Sequence, residues 1–175
     1  MKIALVPFGQ VEGKILDYLE EALGKTFGKE CTQLASLPIP AHAFNPSRRQ
    51  YLSDLFLKEL RKIEAEGVEK ILGITEVDLY TQGLNFVFGQ ASLGGREAVI
   101  SLARLHQSFY GLPEDEGLLL ERTLKEAVHE LGHTWGLTHC PDRSCVMHFS
   151  NSLRDTDIKK AEFCPRCLSA LKAHL

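Results

Sequence analysis

The chain has 175 residues, of which 44% are hydrophobic and 25% charged, with a formal net charge of -3. That length suits one domain, split at most into two subdomains by a cleft, and it can bury a core without staples. Twenty Lys and Arg against 23 Asp and Glu exclude the clustered basic excess of a nucleic-acid footprint, and no run approaches the ~18 apolar residues of a membrane span. The opening Met1-Lys2-Ile3-Ala4-Leu5-Val6-Pro7 is too short for a signal peptide and is broken by proline. A cytoplasmic protein is expected, with no latency segment ahead of the fold.

Lys2 to Phe8 has the pattern of a buried first strand. Val11, Ile15, Leu16, Leu19, Ala22 and Leu23 recur at helical spacing and predict a helix from about Gln10 to Thr26. Cys31 to Leu37 is expected to be a second strand, stopped by Pro38-Ile39-Pro40. Asn45-Pro46 has the form of an N-cap followed by proline at the first helical position. The apolar stripe Tyr51, Leu52, Leu55, Phe56, Leu60 and Ile63 then predicts a long helix ending before Gly67. Lys70 to Thr75 is a third strand. Leu84 to Ser92 and Arg96 to Leu105 are two more, joined at Gly94-Gly95 by a tight hairpin turn. Phe86 and Phe88 fall on one face there, as on a strand at a sheet edge. Pro113 with Glu114, Asp115 and Glu116 marks a helix start, and Leu119, Leu120, Leu124, Ala127, Val128, Leu131 and Trp135 extend that helix. Beyond Gly136 the chain is expected to be irregular until a short helix after Cys164. The order β-α-β-α-β-β-β-α predicts an α/β (α+β) fold with a mixed sheet, the last long helix packed on it and a cleft beside the cysteine-rich tail.

Residues 129 to 140 read His-Glu-Leu-Gly-His-Thr-Trp-Gly-Leu-Thr-His-Cys. His129 and His133, four apart on a helix, lie only ~40° apart around its axis and ~6 Å along it, so both imidazoles reach one ion. Gly136 can take the positive φ that ends a helix and reverses the chain, which brings His139 back as a third imidazole. Three neutral imidazoles favour zinc and leave its fourth position open for water. Glu130, next to the first ligand, has the chemistry to take a proton from that water. The short His-Glu-x-x-His form is equally met by two solvated histidines and a surface glutamate; the added glycine and histidine at fixed offsets make it specific.

Four of the five cysteines lie near the C-terminus, as Cys140-x4-Cys145 and Cys164-x2-Cys167. Without an export signal, disulfides are not expected. Short knuckles of this kind let paired thiolates converge on one structural zinc; the plainer alternative is four buried reduced thiols. Cys31 stands apart and is taken as a small buried hydrophobe.

The extended histidine motif, followed by Cys145-Val146-Met147, resembles the metzincin clan of zinc peptidases and, within it, the archaemetzincins. Cys140, Cys145, Cys164 and Cys167 fall where that family carries a second zinc, and Leu84-Asn85-Phe86-Val87-Phe88-Gly89 and Ala98-Val99-Ile100-Ser101 are similar to its strands. The resemblance implies a single metallopeptidase domain over 1–175, with a metzincin-like twisted sheet, a backing helix and an active-site helix. The sheet and that helix would occupy 1–136, and a small zinc-stapled subdomain 137–175. It implies two zinc ions per chain: a catalytic one on His129, His133 and His139, and a structural one on the four cysteines. Glu130 would be general base and then general acid, and Met147 the apolar turn beneath the metal. The strand around Phe86, Phe88 and Gly89 would be the edge along which a peptide pairs. Astacin-like metzincins carry a tyrosine two residues after the methionine, where this chain has Phe149, which cannot donate a hydrogen bond. His148 beside it is either a substitute donor or, more simply, a loop histidine.

The adjacency of His139 and Cys140 suggests a coupling. A histidine on an irregular segment is a poor ligand unless its backbone is fixed, and anchoring the next residue in a thiolate centre fixes it. The leading expectation is therefore a zinc-dependent peptidase acting on peptides or small proteins. An aminopeptidase would need a carboxylate near the cleft for the substrate's amine, with Glu76 and Asp78 as candidates. A catalytically weak, zinc-stabilised binding protein is the reading from another class, and the presence of Glu130 argues against it.

Overall fold

The computed structural model describes all 175 residues. Along the chain the elements are β1 (Lys2–Phe8), α1 (Gly13–Phe27), β2 (Glu30–Gln33), β3 (Phe44–Asn45), β4 (Gln50–Leu52), α2 (Ser53–Arg61), β5 (Val68–Thr75), β6 (Leu79–Tyr80), β7 (Gly89–Ala91), β8 (Glu97–Ser101), α3 (Glu116–Thr134), α4 (Leu153–Ile158) and α5 (Pro165–Lys172). The main sheet has the order β2-β1-β5-β8-β7. β1 runs parallel to β2 and β5, β5 parallel to β8, and β7 antiparallel to β8 at the edge.

The sheet is covered on both faces, which is why β1 is an unbroken apolar run. Ile3 and Leu5 pack with Leu19 and Leu23 of α1 and with Val128 and Leu131 of α3. Ala4, Val6 and Phe8, pointing the other way, meet Phe56 and Leu60 of α2. Val146, Met147, Cys167 and Leu171 join the first of these clusters, so the cysteine-rich tail shares its core with α3.

Two expected elements take another form. Asn45 does not cap a helix: its Oδ1 accepts from the backbone N–H groups of Ser47 (3.1 Å) and Arg48 (3.3 Å), closing a turn between β3 and β4. The same side-chain chemistry serves either role. Tyr51 and Leu52 then pair in parallel with Leu79 and Tyr80 in a small second sheet, and the helix starts only at Ser53. The strand expected over Leu84 to Ser92 shrinks to Gly89–Ala91. Upstream, its backbone groups have other partners: Arg48 Nη2 donates to the carbonyls of Leu84 (2.7 Å) and Asn85 (3.1 Å), and Val87 N–H donates to Leu79 (3.0 Å). Those groups are no longer free to extend a ladder. The other departures are smaller. The second strand stops at Gln33, β8 ends at Ser101, and α4 is a short helix in a stretch expected to be irregular.

Candidate active site

Helix α3 begins at an Asp115 cap whose side chain accepts from Leu118 N–H at 3.0 Å. Fifteen residues on, it carries His129 and Glu130, both buried, and then His133, which is half-buried. Past its end Trp135 packs on Phe27, ring centroids 4.7 Å apart, and Gly136 takes φ +88°. The chain turns back there, and the His139 ring comes to 5.4 Å from that of His129 and 4.9 Å from that of His133. One ligand atom from each of the three imidazoles lies within 4.8 Å of the others.

Tautomers follow from hydrogen bonding. His129 Nδ1 lies 2.8 Å from the Val146 carbonyl and His133 Nδ1 lies 2.7 Å from that of Leu137. A carbonyl only accepts, so each Nδ1 carries the proton and each Nε2 a lone pair. The two Nε2 atoms nevertheless face each other at 3.1 Å. Two lone pairs that close are satisfied by a cation between them, and Zn–N bonds of about 2.0–2.1 Å in a tetrahedron give a separation of about 3.3 Å. Burial holds all three imidazoles below their ordinary pKa, His129 most strongly, which keeps them neutral as ligands must be. The donor set fits zinc.

Glu130 is 6% exposed. Burial and, secondarily, Glu126 push its carboxyl well above the usual range, with Lys159 opposing. Its side chain lies against the edge strand: a Cβ at Gly89 would come within 2.7 Å of Glu130 Cγ and 2.6 Å of the Val99 carbonyl. Only glycine lets β7 pass so near the carboxylate. Met147 lies under the helix, where a Cβ at Gly132 would meet its Sδ at 2.5 Å.

A cleft of about 520 Å³ runs between the edge segment Leu84 to Ala91 and the face formed by His129, Glu130, His133, His139 and Phe149. Phe86 and Phe88 line it, their rings edge to face at 5.0 Å. His148 does not line it; its Nδ1 lies 2.8 Å from the Cys140 carbonyl. Glu76 and Asp78 do not line it either. Asp78 is held by Arg104 through two contacts of 2.9 Å and Glu76 by His106 at 2.8 Å.

The four cysteines also converge, their sulfurs all within 4.8 Å of one another. Cys140 and Cys164 Sγ are 3.8 Å apart, the spacing of about 3.8 Å that Zn–S bonds of about 2.3 Å give in a tetrahedron. Cys145 Sγ accepts from the N–H groups of Met147 (3.4 Å) and Cys164 (3.3 Å), and Arg166 lies 3.5 Å from Cys140 Sγ. The Cys167 N–H pulls the Cys164 thiol down to about 7, whereas burial pushes Cys145 and Cys167 up. Cys31 is buried, free and well apart, with burial pushing its thiol up to about 12.

Sequence reasoning missed the polar layer behind Glu130. Glu126 accepts from the Thr156 hydroxyl (2.9 Å) and from Lys159 Nζ (3.3 Å), while Arg122 clasps Asp157 at 2.8 and 2.9 Å. Position 126 is one helical turn before Glu130, the only local clue; Lys159 carries none.

A model of the peptidase M54 family matches residues 16–173. The chain belongs to that family, the archaemetzincins. It is 48% identical to the archaemetzincin of Methanocaldococcus jannaschii, over 98% of this chain and 93% of that one. The crystal structure of the Methanopyrus kandleri archaemetzincin superposes with a TM-score of 0.90 at 45% identity, over 99% of this chain and 94% of that one. That of Archaeoglobus fulgidus, complexed with malonate, gives 0.85 at 41% identity, over 97% and 99%. The mixed α/β architecture and the zinc metallopeptidase class expected from the motif therefore hold. No helix is long and apolar enough to cross a membrane.

Proposed function

We propose that this archaemetzincin hydrolyses internal bonds of extended peptides or small proteins, with one zinc ion on His129, His133 and His139 and a second on Cys140, Cys145, Cys164 and Cys167. The observation that carries the reading is the pair of opposed Nε2 lone pairs at 3.1 Å, joined by a third imidazole beside a buried carboxylate in an open cleft. When bound, the catalytic ion supplies Lewis acidity, polarising the scissile carbonyl and lowering the pKa of water. Glu130, raised in basicity by burial, accepts a proton at its carboxylate and returns it to the leaving amine. The edge of β7 is unpaired by any strand and offers its main chain to an extended substrate, with Phe86 and Phe88 alongside. On this reading residues 1–136 supply the edge strand and the helix with His129, Glu130 and His133, and residues 137–175 supply His139 and the four cysteines.

The endopeptidase reading rests on the cleft carboxylates. Glu126 is engaged with Thr156 and Lys159, and Glu76 and Asp78 lie elsewhere, so apart from Glu130, the general base, no cleft acid is left to hold a free amine. All five cysteines are unpaired, which suits a reducing cytoplasm. The test is metal analysis and a peptide-library screen on the wild-type chain and Glu130→Ala. Two zinc ions per chain are expected in both, with activity lower by about 10²–10⁴-fold in the variant. N-acetylated peptides should be cleaved as well as free ones. Turnover retained in Glu130→Ala, or cleavage of free N-termini only, would overturn the corresponding part.

A further inference from the structure

The three histidines of the cluster are not held alike. His129 and His133 each have their Nδ1 fixed by a carbonyl, and both sit on α3. His139 lies on an irregular segment, is exposed, and makes no hydrogen bond through either ring nitrogen. Its support is aromatic. The Phe149 ring lies with its centroid 4.9 Å from that of His139, tilted by 38°.

The backbone brings these two rings together. Cys140 N–H donates to the Met147 carbonyl at 3.0 Å, and the Cys140 carbonyl is bracketed by His148 Nδ1 at 2.8 Å. His139 immediately precedes this clasp and Phe149 immediately follows it. Phe149 remains 37% exposed and lies outside both hydrophobic clusters, so its ring is not spent on the core.

We propose that Phe149 is a positioning residue for the third metal ligand: its ring confines the His139 imidazole to the orientation that faces His129 and His133. The inference rests on the reading of the histidine cluster as a zinc site. A ligand free to swing away lowers apparent affinity by the fraction of time it is misplaced. Losing one tilted aromatic contact should therefore weaken the site by roughly 3- to 10-fold. The same ring is a wall of the cleft, so ligand geometry and substrate contact meet in one residue.

The test is zinc affinity at the histidine site of the full chain with the thiolate site loaded, read by competition with a chromophoric chelator, together with the visible spectrum after cobalt substitution there. Wild type, Phe149→Ala, Phe149→Leu and Phe149→Tyr are compared. Roughly 3- to 10-fold weaker binding and an altered cobalt spectrum are expected for Phe149→Ala, with Phe149→Tyr restored to wild type. Phe149→Leu keeps bulk without a ring and should stay weak. Wild-type affinity and spectrum in Phe149→Ala overturn the proposal, and full recovery by Phe149→Leu overturns the role of stacking. A wild-type chain with no ion at the histidines would instead overturn the zinc reading beneath it.

Discussion

The histidine and cysteine clusters lie on the two sides of one short segment and are built on opposite plans. The histidines number three, grade from buried to exposed and border an open cleft. The cysteines number four, three of them buried, with backbone N–H groups donating to sulfur. Three ligands with access suit chemistry; four with none suit holding the chain. The two clusters are also joined through the backbone. Residues 145 to 148 belong to the cysteine knuckle, yet Val146 orients His129 and Met147 pins the backbone beside His139.

Breaking the closed centre should have the largest effect. Cys164→Ser is expected to remove one zinc per chain and lower melting temperature. It should also weaken the histidine site by about 10- to 100-fold although Cys164 does not touch it; metal analysis and chelator competition read both. Undiminished affinity at the histidines would show the two centres to be independent. Gly89→Ala sharpens the comparison from the open side. The added methyl would press on Val99 and Glu130, and a displacement of this kind should lower kcat by ~10²-fold, with both zinc ions retained in metal analysis. Unchanged kcat would free the edge strand from any role in placing the carboxylate.

His106 provides a third measurement away from both clusters. Its ring is pulled down by burial but held above its ordinary 6.5 by Glu114 and Glu76 on either side. Stabilisation from this bridge is complete below pH 6.5 and lost as pH rises through the raised value. It should amount to no more than about 1 kcal/mol. Wild type should therefore melt above His106→Gln at pH near 6, and the gap should close under alkaline conditions. A gap that persists there would assign His106 a packing role instead.

What was legible in the sequence was local. A four-residue histidine spacing on a helix, a glycine where it ends and two cysteine knuckles contain their own geometry, and the structure brings the three histidines and four cysteines into two groups. What was illegible depends on distant partners. Asn45 has the same side chain whether it caps a helix or closes a turn, and the choice was made by Leu79 and Tyr80 pairing with Tyr51 and Leu52. The edge strand was shortened by Arg48, 36 positions before Leu84. Phe149 and Lys159 sit in segments without periodicity, and nothing nearby marks the rings or carboxylates they meet.

Lys70 reaches from β5 to the Gly95 carbonyl (2.7 Å) and the Thr134 carbonyl (2.8 Å), while Gly94 N–H donates to the His133 carbonyl at 2.9 Å. The tip of the hairpin and the last turn of α3 are thus riveted together. A groove bolted at one end widens only like a book opened from its spine. Spreading the cleft at this end would have to break those contacts.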